Sequence, residues 1–304
     1  MELTDELVRA AFAAACPQAM VREVAGLDLG YANRHWLFHT DEGPLLLKIP
    51  VRNTDPDHLR NLLAATRVAG ELGIPVSKYP AFVPHFEPLG APVLVQEFVP
   101  GTQAAQQWAQ LPLPARQDTA ATLGRWVGAL HTRRGAELTN LIGGRRHESV
   151  AAQVDADLTE ALTVLHDAGV DADLTKVRVR IERGVAEFGP VEPTLCHRDV
   201  YLDNVLLTDG APSRLLDFEH ARFSDQFAEF GKLRELVFDW YPETEAPFMA
   251  AYEELHPLDD AARHRIDVHI GLYNVVMCGY FCRWTPGLVP AYLDRISAWL
   301  AARS

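Results

Sequence analysis

Positive charge is what this 304-residue chain has least of: 28 lysines and arginines stand against 41 aspartates and glutamates, a formal net charge of −13. So acidic a chain lacks the basic face that nucleic-acid binding needs. Long-range attraction would also favour a cationic partner over an anionic one, although acidity alone also serves solubility. Cysteine is scarce too, with four residues, Cys16, Cys196, Cys278 and Cys282. They are scattered, as expected of a reducing compartment, and the expected location is cytoplasmic. Cys278 and Cys282 share a helix face, but no nearby pair of further ligands completes a zinc set, so packed thiols are expected. Long apolar runs are missing, and no stretch reaches the roughly 20 residues that a membrane helix requires. The opening stretch, Met1 to Cys16, carries acids where a secretory signal would be basic. Internal repeats and low-complexity segments are absent as well.

What is present is an ordinary globular composition, 48% hydrophobic, in a chain long enough for two lobes. The texture changes near residue 100. Before it, the pattern predicts a helix over 4–15, strands near 21–26, 34–40 and 44–50, and a helix over 56–72 bearing Leu59, Leu62, Leu63 and Val68. Gly73 and Pro75 end that helix. Pro92 to Gly101 reads as a buried strand running into a turn. Beyond it, helices are expected near 115–133, 148–168, 173–188, 225–239, 245–254, 260–284 and 289–302. The exception is 194–217, where two short strands flank a turn at Thr208-Asp209-Gly210. The fold class is therefore α+β, with one domain over 1–100 and a second, mostly helical, over 101–304.

The chemistry concentrates between His197 and Asp217. Phosphoryl transfer needs a group that orients the acceptor hydroxyl and accepts its proton, and oxygen ligands for Mg²⁺. Asp199 fits the first role. Asn204, five residues on, and Asp217, thirteen beyond that, fit the second. A carboxylate and an amide oxygen suit a hard cation that keeps several waters. The hairpin between them would bring Asn204 and Asp217 together.

These residues resemble a known set. His197-Arg198-Asp199 followed by Asn204 matches the H-R-D-x-x-x-x-N catalytic loop of protein kinases, and Asp217-Phe218-Glu219 is similar to D-F-G with glutamate for glycine. Neither a long activation loop nor A-P-E follows. Instead Phe218 runs on to Leu233 and straight into a helix, with Ser224-Asp225-Gln226 in the place of a G-D-P-like turn. That segment resembles aminoglycoside phosphotransferases and their relatives, including choline and homoserine kinases. The resemblance spans about 20–285 and is strongest over 194–233. It implies a bilobal protein-kinase-like fold: an N-terminal antiparallel sheet plus helix, and a mostly helical C-terminal lobe with a small β-hairpin at the active site. It also implies ATP and Mg²⁺ as cofactors, with GTP left open because the hinge reads the base through its backbone. Lys48 would contact the phosphates, Gly30 and Asn33 would lie in the nucleotide-covering loop, and Gln96, Glu97 and Phe98 would form the hinge.

The sequence departs from the family in two ways. The family places a glutamate early in the helix after the lysine strand; here that region carries Asp55 and Asp57 but no glutamate until Glu71. Either aspartate could substitute, or Lys48 lacks an acidic helix partner. Antibiotic kinases also read H-G-D where this chain has Arg198, which is expected to pair with a local acid. Glu219, Asp225, Glu229, Tyr273 and Trp284 are the candidate substrate contacts, although Asp225 also reads as a helix N-cap and the aromatics as core. The expected activity is transfer of the γ-phosphoryl group to a hydroxyl of a small molecule, an aminoglycoside-like antibiotic or amino sugar, as in antibiotic resistance. The alternatives are a metabolic kinase for choline, homoserine or a similar alcohol, and a pseudokinase that holds nucleotide without turnover. The sequence carries no sign of oligomeric state.

Overall fold

A computed structural model describes residues 3–27, 33–170 and 174–302. In chain order its main elements are α1 (Asp5–Ala15), β1 (Val21–Leu27), β2 (Asn33–Thr40), β3 (Gly43–Pro50), α2 (Pro56–Glu71), β4 (Ala81–Phe86), β5 (Ala91–Glu97) and β6 (Thr102–Gln103). There follow α3 (Leu113–His131), α4 (Val150–Asp167), α5 (Thr175–Ala186), β7 (Thr194–Cys196), β8 (Val205–Thr208), β9 (Ala211–Leu215) and β10 (Arg222–Ser224). The chain ends with α6 (Glu245–Glu253), α7 (Asp260–Trp284) and α8 (Val289–Ala301). Most boundaries fall within two residues of those expected. Local signals account for this: Thr4, Asp55, Ser149 and Asp259 each cap a helix by accepting from an amide two or three residues on.

Two compact units emerge, one made of residues 1–106, 141–143 and 205–219, the other of 107–140, 144–204 and 220–304. The hairpin of β8 and β9, expected with the helical part, thus belongs to the first unit. It is tied there because β8 pairs with β6 and Leu215 bridges to Val76. Its turn needs left-handed backbone at both central residues, Asp209 (φ 52°) and Gly210 (φ 76°), which only small or glycine-like residues adopt cheaply.

The first unit is built on an antiparallel five-stranded sheet in the order β1-β2-β3-β5-β4. One face packs on α1: Val8, Ala11 and Phe12 meet Phe38, Leu47, Ile49, Val93 and Val95. Phe12 and Phe38 stack with ring centroids 3.9 Å apart. Leu59 and Leu62 of α2 pack with Leu94 in a separate cluster. Side chains alternate along a strand, so Lys48, between Leu47 and Ile49, is turned away from the α1 core. Strand β4 was not expected. It holds Pro84, which the sheet tolerates because β4 is an edge strand whose register shifts between Val83 and Phe86.

The second unit is helical. Helices α4, α5, α7 and α8 share a core that includes Leu158, Val177, Ile181, Val275, Cys278 and Trp299, so Cys278 is the packed thiol expected of it. Helix α3 lies against α6 so closely that a Cβ on Gly124 would sit 2.3 Å from the Phe248 carbonyl oxygen. The helix expected over 225–239 is broken instead into a 3-10 turn (Gln226–Glu229), one α turn (Phe230–Leu233) and a π turn (Arg234–Phe238). Among the described residues no helix is long and apolar enough to cross a membrane.

Candidate active site

The loop after β7 is shaped by its neighbours rather than by its own propensity. β7 enters it and β10 leaves the segment beyond it, paired antiparallel from Thr194↔Ser224 to Cys196↔Arg222. Arg198 takes φ 67°, a left-handed conformation that a long side chain adopts at a cost. Glu229 holds it there. Its fully buried carboxylate accepts from the backbone amides of His197 and Arg198, each at 2.7 Å. Burial opposes a charge on Glu229, but hydrogen bonding from the His131 side chain and the charges of His197, His131 and Arg198 outweigh it and hold the carboxyl below its usual range. His197 is buried, and its Nδ1 accepts from the Asp199 amide at 3.2 Å. The Arg198 guanidinium makes no ion pair among the described residues. Burial lowers its pKa, and its Nη1 has no hydrogen-bond partner there.

Asp199 is gripped from both sides. Asn204 Nδ2 donates to its backbone carbonyl and to its Oδ2, both at 2.8 Å. Lys232, from the α turn after Glu229, forms an ion pair with Oδ1 and lies 4.5 Å above the Tyr201 ring. Burial pushes the Asp199 carboxyl up, and the Lys232 charge, helped by His220, more than reverses this, so its pKa falls below the ordinary value. Lys232 escaped the sequence reading. The one available signal was a lone lysine in the apolar stretch from Phe227 to Leu233, the same signal that marked Lys48.

The remaining expected nucleotide residues lie in the first unit. Lys48 is 6% exposed, and its Nζ is 3.4 Å from Glu219 Oε1. Burial pulls its pKa down, but the carboxylates of Asp217 and Glu219 more than restore it, and the pKa ends above its usual value. Asn33 also donates to Glu219 Oε1, at 2.9 Å. Gly30 lies outside the described residues. Asp217 follows β9 with φ 61°. In the segment expected to form the hinge, the amides of Glu97 and Phe98 already donate to the carbonyls of Lys78 and Pro44 at 2.8 and 3.2 Å. A nucleobase reading this segment therefore has to use groups other than those two donors.

The expected substrate contacts are placed elsewhere. Glu219 sits on Lys48. Asp225, fully buried, caps the 3-10 turn through the Phe227 amide, accepts from Arg265 Nε at 3.0 Å, and faces His269 Nε2 at 3.0 Å. Glu229 is taken by the loop amides. Tyr273 donates to Glu235 at 2.7 Å. Of the five, only Trp284, at the end of α7 and 57% exposed, presents its ring to solvent. His131, Cys196 and Glu229 meet within 4.8 Å. His131 Nδ1 is taken by the Tyr252 hydroxyl at 2.8 Å, which leaves Nε2, 3.8 Å from Glu229; a metal there would have to draw Glu229 from the loop amides and would need a thiolate where burial pushes the Cys196 thiol up.

Asn204 and Asp217 each carry the oxygen donor that a hard divalent cation takes. Both contacts of the Asn204 amide nitrogen go to Asp199, which leaves the side-chain oxygen as its acceptor. Val205, next to Asn204 in the chain, pairs with Leu215, two residues before Asp217.

Comparison with known proteins bears on the family and the fold. A curated homoserine kinase of Gluconacetobacter diazotrophicus is 25% identical over 265 residues, covering 80% of this chain and 75% of the relative. The GDP complex of an aminoglycoside 2'-phosphotransferase-IIIa mutant superposes with a TM-score of 0.72 at 16% identity, over 98% of both chains. A thermostable aminoglycoside phosphotransferase APH(4)-Ia variant, in ternary complex with ADP and hygromycin B, gives 0.72 at 15% identity over 100% of this chain and 99% of the other. These likenesses show the protein-kinase-like fold. The sequence model of the phosphotransferase enzyme family matches residues 23–266, and the chain belongs to that family as a small-molecule kinase.

Proposed function

We propose that the protein transfers the γ-phosphoryl group of ATP to a hydroxyl of a small, amino-bearing molecule. The observation that carries this reading is the Asp199 carboxylate, kept ionised and oriented by Lys232 and Asn204 on a loop clamped by Glu229. In this reading Asp199 orients the acceptor hydroxyl and takes its proton late in the transfer. Lys48 binds phosphate oxygens. Asn204 and Asp217 would be the Mg²⁺ ligands, and the ion would supply charge neutralisation on the phosphates. Lys232 keeps Asp199 in position and offers positive charge where the phosphoryl group arrives. Solved relatives carry ADP in one case and GDP in the other, so GTP is the alternative donor to test.

For the acceptor, the structural neighbours favour an aminoglycoside or amino sugar, and the homoserine kinase match favours a small amino alcohol. All of these carry an amine and a hydroxyl. Release of ADP, measured with a panel of aminoglycosides, amino sugars, choline and homoserine, tests the proposal directly. Turnover with at least one is expected, and it should vanish in Asp199→Ala. An Asp199→Ala variant with near-normal transfer would refute the assignment.

A further inference from the structure

Lys48 has an acid, but not where the family supplies it. The early turns of α2 offer two aspartates, and neither is used: Asp55 caps the helix through the Asp57 amide, and Asp57 pairs with Arg60 at 2.6 Å. Glu71, far along the helix, is near Arg67. Early in α2 stands His58, whose Nε2 lies 3.4 Å from Glu219 Oε2. Glu219, two residues past Asp217, is 8% exposed and joins three elements: Lys48 on β3, Asn33 on β2 and His58 on α2.

We infer that Glu219 is the positioning residue for Lys48, carrying out from the metal-binding segment the task that relatives give to a glutamate on the helix. This deepens, and rests on, the phosphotransferase reading above. The physical logic follows from the connection. Where the acid sits on a helix, moving the helix makes or breaks the lysine pair, and this is how protein kinases are switched. Here the acid is two residues from Asp217, so one short segment, buried at Phe218 and Glu219, sets both the phosphate-binding lysine and a candidate metal-binding carboxylate. Displacing α2 would remove only the His58 contact from Glu219 and would leave Lys48 paired. The arrangement also explains why glutamate replaces glycine after Asp217-Phe218: a glycine there would leave Lys48 without this carboxylate.

Mg·ATP affinity, measured by calorimetry on the full chain, tests the inference without needing the acceptor. Glu219→Gln, which keeps the side-chain shape, is expected to weaken binding about tenfold, the size of one lost charged contact. In a Lys48→Met background the same substitution should change affinity less than about twofold, because residues that act through each other are not additive. Returning an acid to the helix, as Glu219→Gly with His58→Glu, should recover most of the affinity that Glu219→Gly alone loses. Thermal melting of every variant confirms that it is folded. Wild-type affinity in Glu219→Gln, a full additional loss in the Lys48→Met background, or no recovery in a folded relocated variant would each overturn the inference while leaving the kinase reading intact. A wild-type protein that binds neither Mg·ATP nor Mg·GTP would overturn both.

Discussion

Asp199, Lys232 and Glu229 show how much of this protein's chemistry is carried by individual charges placed away from bulk water. A carboxylate buried alone would be driven neutral. Asp199 is not alone, because Lys232 supplies the compensating charge, and Glu229 is sustained by two backbone amides and the histidines around it. Replacing Lys232 by methionine keeps much of its bulk over Tyr201 but removes the charge. We expect kcat to fall about 10²-fold, as for loss of one preorganised charge at a reacting centre. The KM for ATP should change little, which steady-state kinetics would show. Asp217→Ala should differ in kind: Mg²⁺-dependent nucleotide affinity disappears, measured by titration with and without the metal. Asp217 sits at φ 61°, where alanine is strained, so Asp217→Asn, which tolerates that backbone, is the companion variant and should show the same loss of Mg²⁺ dependence.

Among the described glycines, Gly124 in the α3–α6 contact has the closest backbone neighbour. Gly124 permits backbone-to-backbone approach, and an added methyl would need the Phe248 carbonyl, 2.3 Å from its ideal position, to move. Gly124→Ala should therefore destabilise by about 1–3 kcal/mol, despite alanine's better helix propensity. Gly287→Ala, whose methyl meets nothing within 4 Å, is the matched control and should be near neutral. Chemical denaturation of the two variants decides the point. Elements also divide by how they could be read. Helices α4 and α7 follow from apolar spacing and capping residues, so their limits were legible. The 226–238 segment was not. Its apolar spacing suggests one helix, but the Asp225 carboxylate binds the Phe227 amide and Arg265, and Glu235 takes the hydroxyls of both Tyr273 and Tyr292. These long-range partners accompany a succession of 3-10, α and π turns.

Taken as a whole, the molecule uses its surplus of acids in two ways: most lie at the surface, and a few are buried as anchors. Asp225 is the clearest anchor. Burial opposes its charge, and His269 and Arg265 more than offset this, so its folded pKa lies well below the usual aspartate value. A depressed folded pKa means that the unfolded chain binds the proton more readily. The stability so contributed is complete above the unfolded pKa of about 4 and is lost as pH falls below it. Glu219 and Glu229 act in the same direction. Thermal melting should show a plateau near neutrality and a steep decline below about pH 4. Asp225→Asn should cost about 3–5 kcal/mol at pH 7 by stranding Arg265, and should flatten the acid limb.

The sequence alone determined most helices and the kinase-like class, and it marked the 197–204 loop and the Asn204–Asp217 pair as candidates. These rest on residues close together in the chain, whose spacing survives folding. It did not determine which acid serves Lys48, because that partner lies 171 positions away, or that Lys232, 33 positions on, would meet Asp199. Nor could it show that Asp225 and Glu229, which look like substrate acids, are buried supports. Charge and spacing are written in the sequence. Burial, and the choice among several possible partners for one charge, exist only once distant segments have packed.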